Sequence, residues 1–274
     1  MSFDLAPIRH IVLDLDGTLY HGSRLFPWTL PFLDRLRGLG IGFTFLTNNN
    51  SPSKSEYVEK LRRLGIQATS ADIYTSTDST IEYLRAQLPL ARRLAVLGTP
   101  SLCGEFGEAG YEICWDSPDA VVVAFDTTLV YERLCRAAYW IASGLPFVAT
   151  HPDWICPTDQ PTVLVDCGSV CACLTAATGG RRPVVLGKPD PSVLHGIRRA
   201  HGLQSHEIAM VGDRLYTDMA MARNAGVLGI LVLSGEATAA EAAALDHPPD
   251  LVVRDVGELG ELFLRAHAQK PHHG

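Results

Sequence analysis

Short apolar runs alternate with stretches whose apolar residues recur at helical spacing along almost the whole chain. That pattern belongs to a parallel sheet with helices packed on both faces. The runs at 10–13, 42–46, 184–186, 208–211, 227–233 and 251–253 are mostly continuous in apolar character, as strands buried on both sides are. They are the expected strands of a core sheet. A helix is predicted over 51–64: Ser51 can cap it, Pro52 suits its first turn and Gly65 ends it. Further helices are predicted at 80–88 and 191–201. A second alternation lies between these segments, with strands at 94–97, 120–125 and 146–149 and helices at 101–109 and 131–143. The expected fold is therefore α/β: a doubly wound parallel-sheet core built from 1–88 and 183–274. A smaller α/β domain, 89–182, is inserted into it.

Composition narrows the function classes. The chain has 274 residues, 47% of them hydrophobic and 19% charged, enough apolar material for one or two packed domains. A net charge of −7 disfavours nucleic acid or an anionic membrane as the main partner. An acidic protein that handles anions needs local positive charge, from a metal ion or a well-placed lysine. The first residues lack both a basic region and an apolar signal core, and no apolar stretch has membrane-spanning length. The seven cysteines are odd in number and scattered, which points to reduced thiols and a cytoplasmic protein. The tail 267–274 is expected to fray.

Candidate chemistry collects at strand ends. Asp14-Leu15-Asp16-Gly17-Thr18 follows the run 10–13, and period two places Asp14 and Asp16 on one side. One carboxylate can attack while its neighbour handles protons, and together they can hold a hard cation. Alone, the pair is also what an ordinary strand-to-loop turn looks like. Thr47-Asn48-Asn49 follows 42–46, Gly187-Lys188-Pro189 follows 184–186, and Gly212-Asp213 with Asp218 follows 208–211. Thr47 and Asn48 offer a hydroxyl and an amide for phosphate oxygens, and Lys188 offers an ammonium. Asp213 is a candidate metal ligand, and Asp218 serves either the site or a helix amino terminus. Cys167, Cys171 and Cys173 read as small packing thiols, since no second cluster has zinc-ligand spacing.

These four stretches, in this order and each after its own strand, resemble the haloacid dehalogenase (HAD) superfamily. The wording of Thr47–Asn49, Gly187–Pro189 and 212–218 resembles its NagD / p-nitrophenylphosphatase branch, as do 122–131, 149–158 and 167–169. The resemblance implies a HAD-like core with an inserted α/β cap. It implies a phosphomonoesterase for small phosphorylated metabolites in which Asp14 forms an aspartyl-phosphate and Asp16 is general acid and base. Thr47, Asn48 and Lys188 would hold the phosphoryl oxygens. Mg2+ would be held by Asp14, the Asp16 carbonyl and Asp213, with Asp218 positioning ligands behind them. Dehalogenating members lack a carboxylate at the Asp16 position, so dehalogenation is disfavoured. Relatives in this branch pair through the cap, which implies a homodimer.

Departures from the branch lie away from the chemical step. Asn50 stands where Ser is usual, and His151 replaces the Asn of the cap's Asn-Pro-Asp string. His151, Asp153 and Trp154 are candidate substrate-selecting residues of the cap. Vertebrate members acting on pyridoxal or glycolate phosphate carry a selecting His where this chain has Thr128, another candidate selecting position, which weakens a transfer of either specificity. Two rival readings stay open: a phosphomutase using the same aspartyl-phosphate, and a non-catalytic phospho-ligand-binding protein on this fold.

Overall fold

The computed structural model describes residues 4–156 and 161–268, so 1–3, 157–160 and the end of the tail from 269 lie outside it. Contacts divide the chain into two compact units. One comprises Met1–Leu46, Val58–Tyr74 and Pro189–Gly274, and the other Thr47–Tyr57 and Thr75–Lys188.

In the first unit the six-stranded sheet runs Leu251–Val253, Leu228–Val232, Ile208–Gly212, His10–Asp14, Gly42–Thr47, Ile73–Thr75. His10–Asp14 lies between two parallel neighbours, with His10 opposite Ile208 on one side and Gly42 on the other. The order of the strands reverses around it, and such switch points open a ligand crevice at their carboxyl ends. Every residue of His10–Asp14 is buried, as its apolar run predicts. Val12 and Leu46 pack with Val193, Leu194 and Ile197, the apolar stripe of the helix Ser192–Ala200. The helix Val256–Ala268 packs on Thr29–Gly38, and Phe32 and Phe263 are both fully buried. Each such phenylalanine contributes about 1.5–3 kcal/mol by leaving water.

In the second unit a five-stranded sheet runs Val184–Val185, Phe147–Ala149, Ala120–Val123, Arg93–Leu97, Glu112–Ile113. One of its clusters joins Leu97, Val123, Ile141 and Phe147 with Cys167, Cys171 and Leu174, so the first two thiols of that cluster are packing groups. Cys173 is exposed.

Three expectations need correction. The strand over 184–186 belongs to this second sheet and not to the core: Val184 and Val185 lie parallel to Val148 and Ala149. Two valines at a sheet edge do not encode which sheet they join. The helix after Thr47-Asn48-Asn49 begins at Lys54, not at Ser51. Ser53 caps it, its hydroxyl accepting from Glu56 N (3.3 Å) while the Glu56 carboxylate accepts from Ser53 N (2.7 Å), a reciprocal capping box. The helix expected at 80–88 spans Ser76–Gln87, because Thr75 and Asp78 form another such box upstream. The second unit takes in all of 89–182 together with Thr47–Tyr57, 75–88 and 183–188. Among the described residues, no helix is long and apolar enough to cross a membrane.

Candidate active site

In the first unit, Asp14 ends its strand and Asp213 directly follows the strand Ile208–Gly212. Asp218 sits on a π-helical turn, Leu215–Met219, a wide turn of the kind found at functional sites. The three carboxylates are buried, and each offers an oxygen within 4.8 Å of those of the other two. Asp14 accepts from Thr18 Oγ1 (3.3 Å), and Asp218 from Arg214 N (3.1 Å). Asp213 Oδ2 accepts from Glu236 N (2.7 Å), but its Oδ1 is buried with no hydrogen-bond partner among the described residues. Burial, then the charges of Asp14 and Asp218, push the Asp213 carboxyl up to about 8. Like charges packed so closely and away from water need a cation, and an oxygen set of this kind suits Mg2+ or Ca2+.

Three glycines make room for the trio. A Cβ on Gly17 or Gly235 would overlap the Asp213 carboxylate, and one on Gly212 would overlap Asp218. Gly17 also has φ +85°, which only glycine adopts readily. Sequence reasoning missed the segment 234–237. Ser234 Oγ donates to the Gly17 carbonyl (2.7 Å), and Ala237 N donates to the Asp213 carbonyl (3.1 Å). Its only local signal is a Ser-Gly pair just beyond the strand Leu228–Val232.

Asp16 separates from Asp14. The strand ends at Asp14, so the period of two does not carry over. Asp16 is half-exposed, accepts from Gly22 N (3.3 Å) and lies 3.6 Å from His21 Nδ1. Its carboxyl is pushed up by desolvation and drawn down by Lys60. Its side chain is not part of the carboxylate trio. A groove of about 950 Å3 lined by Pro7, Arg223 and Asp250 among others holds none of the sequence-predicted site residues.

In the second unit, Asn48 is a hub. Its Nδ2 donates to both oxygens of Asp153 (3.3 Å each) and to the Lys188 carbonyl (3.1 Å). Its Oδ1 accepts from Lys188 N (2.8 Å), and its carbonyl accepts from Ser76 Oγ (2.7 Å). Gly187 permits this approach, since a Cβ there would lie 2.7 Å from Asn48 Oδ1 and 2.8 Å from the Thr150 carbonyl. Thr47 accepts from Asn49 N (3.2 Å), and Asn50 accepts from Phe125 N (3.3 Å). Thr47, Asn48 and Lys188 are all buried.

The candidate selecting residues divide. His151 is fully buried, its Nε2 3.2 Å from Asp166 Oδ1, and Asp166 caps the helix Cys167–Ala177 by accepting from Cys167 N (2.6 Å). Asp153 is buried against Asn48. Thr128 is exposed but tied to Asp126, donating through Oγ1 (2.7 Å) and its backbone N (2.8 Å). Trp154 is exposed.

The haloacid dehalogenase-like hydrolase pattern matches residues 11–112, and a HAD-hydrolase-like pattern matches 185–259. The acid sugar phosphatase of Staphylococcus aureus is 32% identical over 248 residues, covering 90% of this chain and 95% of that protein. The chain belongs to the haloacid dehalogenase-like hydrolases. Within that family it falls in the NagD / p-nitrophenylphosphatase branch and is an enzyme of phosphatase type. Escherichia coli NagD, a ribonucleotide monophosphatase, is 29% identical, with 92% of this chain and 98% of NagD covered. The 4-nitrophenylphosphatase of Thermotoga maritima superposes with a TM-score of 0.90 at 39% identity, covering 96% of this chain and 100% of that one. The magnesium complex of a Mycobacterium tuberculosis glycerol phosphate phosphatase gives 0.86 at 31% identity, covering 95% and 79%.

Proposed function

We propose that this HAD hydrolase is a Mg2+-dependent phosphomonoesterase acting on small phosphorylated metabolites through an aspartyl-phosphate. The observation that carries the reading is the buried trio Asp14, Asp213 and Asp218, with Asp213 Oδ1 lacking a hydrogen-bond partner among the described residues. An Asp14 oxygen bonds to phosphorus as the bond from phosphorus to the ester oxygen breaks. Asp16 gives its proton to the departing alcohol, and its raised affinity for that proton fits the task. In the second step Asp16 takes a proton from the water that attacks phosphorus. The bond from Asp14 to phosphorus then breaks and phosphate leaves. Thr47, Asn48 and Lys188 stabilise the charge on the phosphoryl oxygens.

The Asp14 carboxylate, the Asp16 backbone carbonyl and Asp213 would hold Mg2+, and Asp218 would orient them. When bound, the ion offsets the charge of the carboxylates and the phosphoryl group. The inserted 89–182 serves as a cap that excludes macromolecules and bulk water, and two copies pair through it in the cytoplasm. The named relatives act on nucleotide, sugar, glycerol and nitrophenyl phosphates. That shared ester chemistry supports the reading while their alcohols differ.

The test is phosphate release from a panel of phosphorylated metabolites and p-nitrophenyl phosphate, with Mg2+ and with chelator. Mg2+-dependent release is expected, and Asp14→Asn should reduce it to background with the fold intact. Isomerised sugar phosphate in place of free phosphate would establish the mutase reading instead. Substantial turnover by Asp14→Asn would remove the covalent mechanism.

A further inference from the structure

The groove of about 950 Å3 belongs wholly to the first unit, the unit that carries Asp14, Asp213 and Asp218. Its walls are mostly apolar, with Ile8, Leu228, Leu245 and Pro249 among them. Both carboxylates that line it are engaged by backbone donors: Asp4 accepts from Ala6 N (2.9 Å) and Asp250 from Gly229 N (2.8 Å). Its two histidines, His206 and His247, add no negative charge. Arg223, exposed on the helix Ala220–Ala225, makes no side-chain hydrogen bond or ion pair among the described residues. The charge left over in this apolar groove is therefore positive. A planar carboxylate matches one guanidinium fork through two parallel hydrogen bonds, and an apolar body behind it gains by leaving water.

The same groove reaches the carboxylate trio from behind. Leu215 and Met219 line it, and they are the two ends of the π-helical turn that holds Asp218. Met219 also packs with Ala237 in one apolar cluster. Ala237 N donates to the Asp213 carbonyl (3.1 Å), and Glu236 N donates to Asp213 Oδ2 (2.7 Å). A π-helical turn is a rare arrangement that its surroundings must hold, and a ligand seated against Leu215 and Met219 adds contacts that hold it. Occupancy of the groove then favours the arrangement in which Asp213 and Asp218 stand beside Asp14.

We propose that this groove is a second ligand site, for an amphipathic carboxylate whose charge pairs with Arg223, and that filling it tightens Mg2+ binding at the trio. The coupling rests on the reading that the trio holds Mg2+, whereas the binding itself does not. Coupling between two sites is reciprocal, so Mg2+ tightens the carboxylate by the same factor.

The probe is 4-phenylbutyrate, with 4-phenylbutylamine as the same body carrying the opposite charge. Calorimetry on the full chain freed of metal should give 4-phenylbutyrate a Kd on the order of 1 mM or lower, and show no binding of the amine. Arg223→Gln should weaken the carboxylate about tenfold, the size of one charge-assisted contact. With 4-phenylbutyrate at its wild-type Kd, the apparent Mg2+ Kd should fall about threefold in wild type and only about 1.4-fold in Arg223→Gln, as a coupling factor of about five requires. Saturating Mg2+ should tighten 4-phenylbutyrate about fivefold in wild type. Equal carboxylate affinity in wild type and Arg223→Gln, or equal binding of the amine, overturns the proposal. So does a Mg2+ affinity that the bound carboxylate leaves unmoved. Competitive inhibition of p-nitrophenyl phosphate hydrolysis that survives Arg223→Gln places the compound among the catalytic groups and overturns it too. In each of these cases continued Mg2+-dependent phosphate release leaves the phosphatase reading standing. Wild type that binds no Mg2+ overturns that reading and the coupling together, while a loss of carboxylate affinity in Arg223→Gln still upholds the site.

Discussion

Replacing Asp213 by Asn should stabilise the metal-free protein while destroying the cation site. The Asp213 carboxyl is held at about 8 against an ordinary 3.8, by burial first and then by Asp14 and Asp218. Its proton affinity is raised by folding, so its contribution to stability is complete below pH 3.8 and is lost as pH rises toward 8. Each unit is worth about 1.4 kcal/mol, so by pH 7 the folded state has lost up to about 4 kcal/mol relative to acid. Asn carries no charge at any pH and can still accept from Glu236 N through its amide oxygen. The assay is urea unfolding in chelator from pH 4 to 8, reading wild type against variant at each pH so that other titrations cancel. Asp213→Asn should gain on the order of 2–4 kcal/mol over wild type at pH 7, and the gain should vanish near pH 4. Mg2+ should shrink that gain, because an ion at a hundred times its Kd stabilises only the wild type, by about 2.7 kcal/mol. A variant less stable than wild type at pH 7 without metal, or a difference that does not change with pH, refutes the electrostatic account of the trio.

Gly235→Ala should cost about 1–3 kcal/mol, as overpacking does, because its Cβ overlaps the Asp213 carboxylate; calorimetry should show weaker Mg2+ binding as well. His10, whose ring lies tilted by 31° against that of His201 with centroids 4.5 Å apart, is held down to about 4 by burial and by that neighbour. Its depressed value means stability is lost as pH falls from 6.5 toward 4, by about 3 kcal/mol in all, and a wild type no more acid-sensitive than His10→Asn would count against this. Lys60→Gln removes the charge that opposes the raised Asp16 carboxyl, so the alkaline limb of the kcat/KM profile should move upward; an unmoved limb separates Asp16 from the proton transfer.

The residues of the carboxylate site that could be read in advance are those whose signal is local. Asp14 and Asp213 each close an apolar run, and Gly187 announces the turn that precedes Lys188. The rest depends on encounters between distant segments. Gly235 matters because it faces Asp213, a relation that no window of sequence contains. Val184 and Val185 have the composition of a core strand, yet they pair with Val148 and Ala149. The continuous π-helical turn that brings Asp218 beside Asp14 has no propensity signature. His151 lies 3.2 Å from Asp166, which caps a helix that begins sixteen residues after it, counting 151 to 167, a pairing no local window of sequence contains.

The Asn48 hub also sets a timetable for the nascent chain. Its side-chain partners lie 105 and 140 residues downstream, and until they emerge nothing made so far can fix its amide. At ordinary synthesis rates the ribosome needs about 7 to 28 s to add those 140 residues. For that interval the Thr47-Asn48-Asn49 stretch exists without these side-chain partners. The carboxylate trio closes later still, because Asp213 and the Ser234 hydroxyl that meets the Gly17 carbonyl follow Lys188 in the chain.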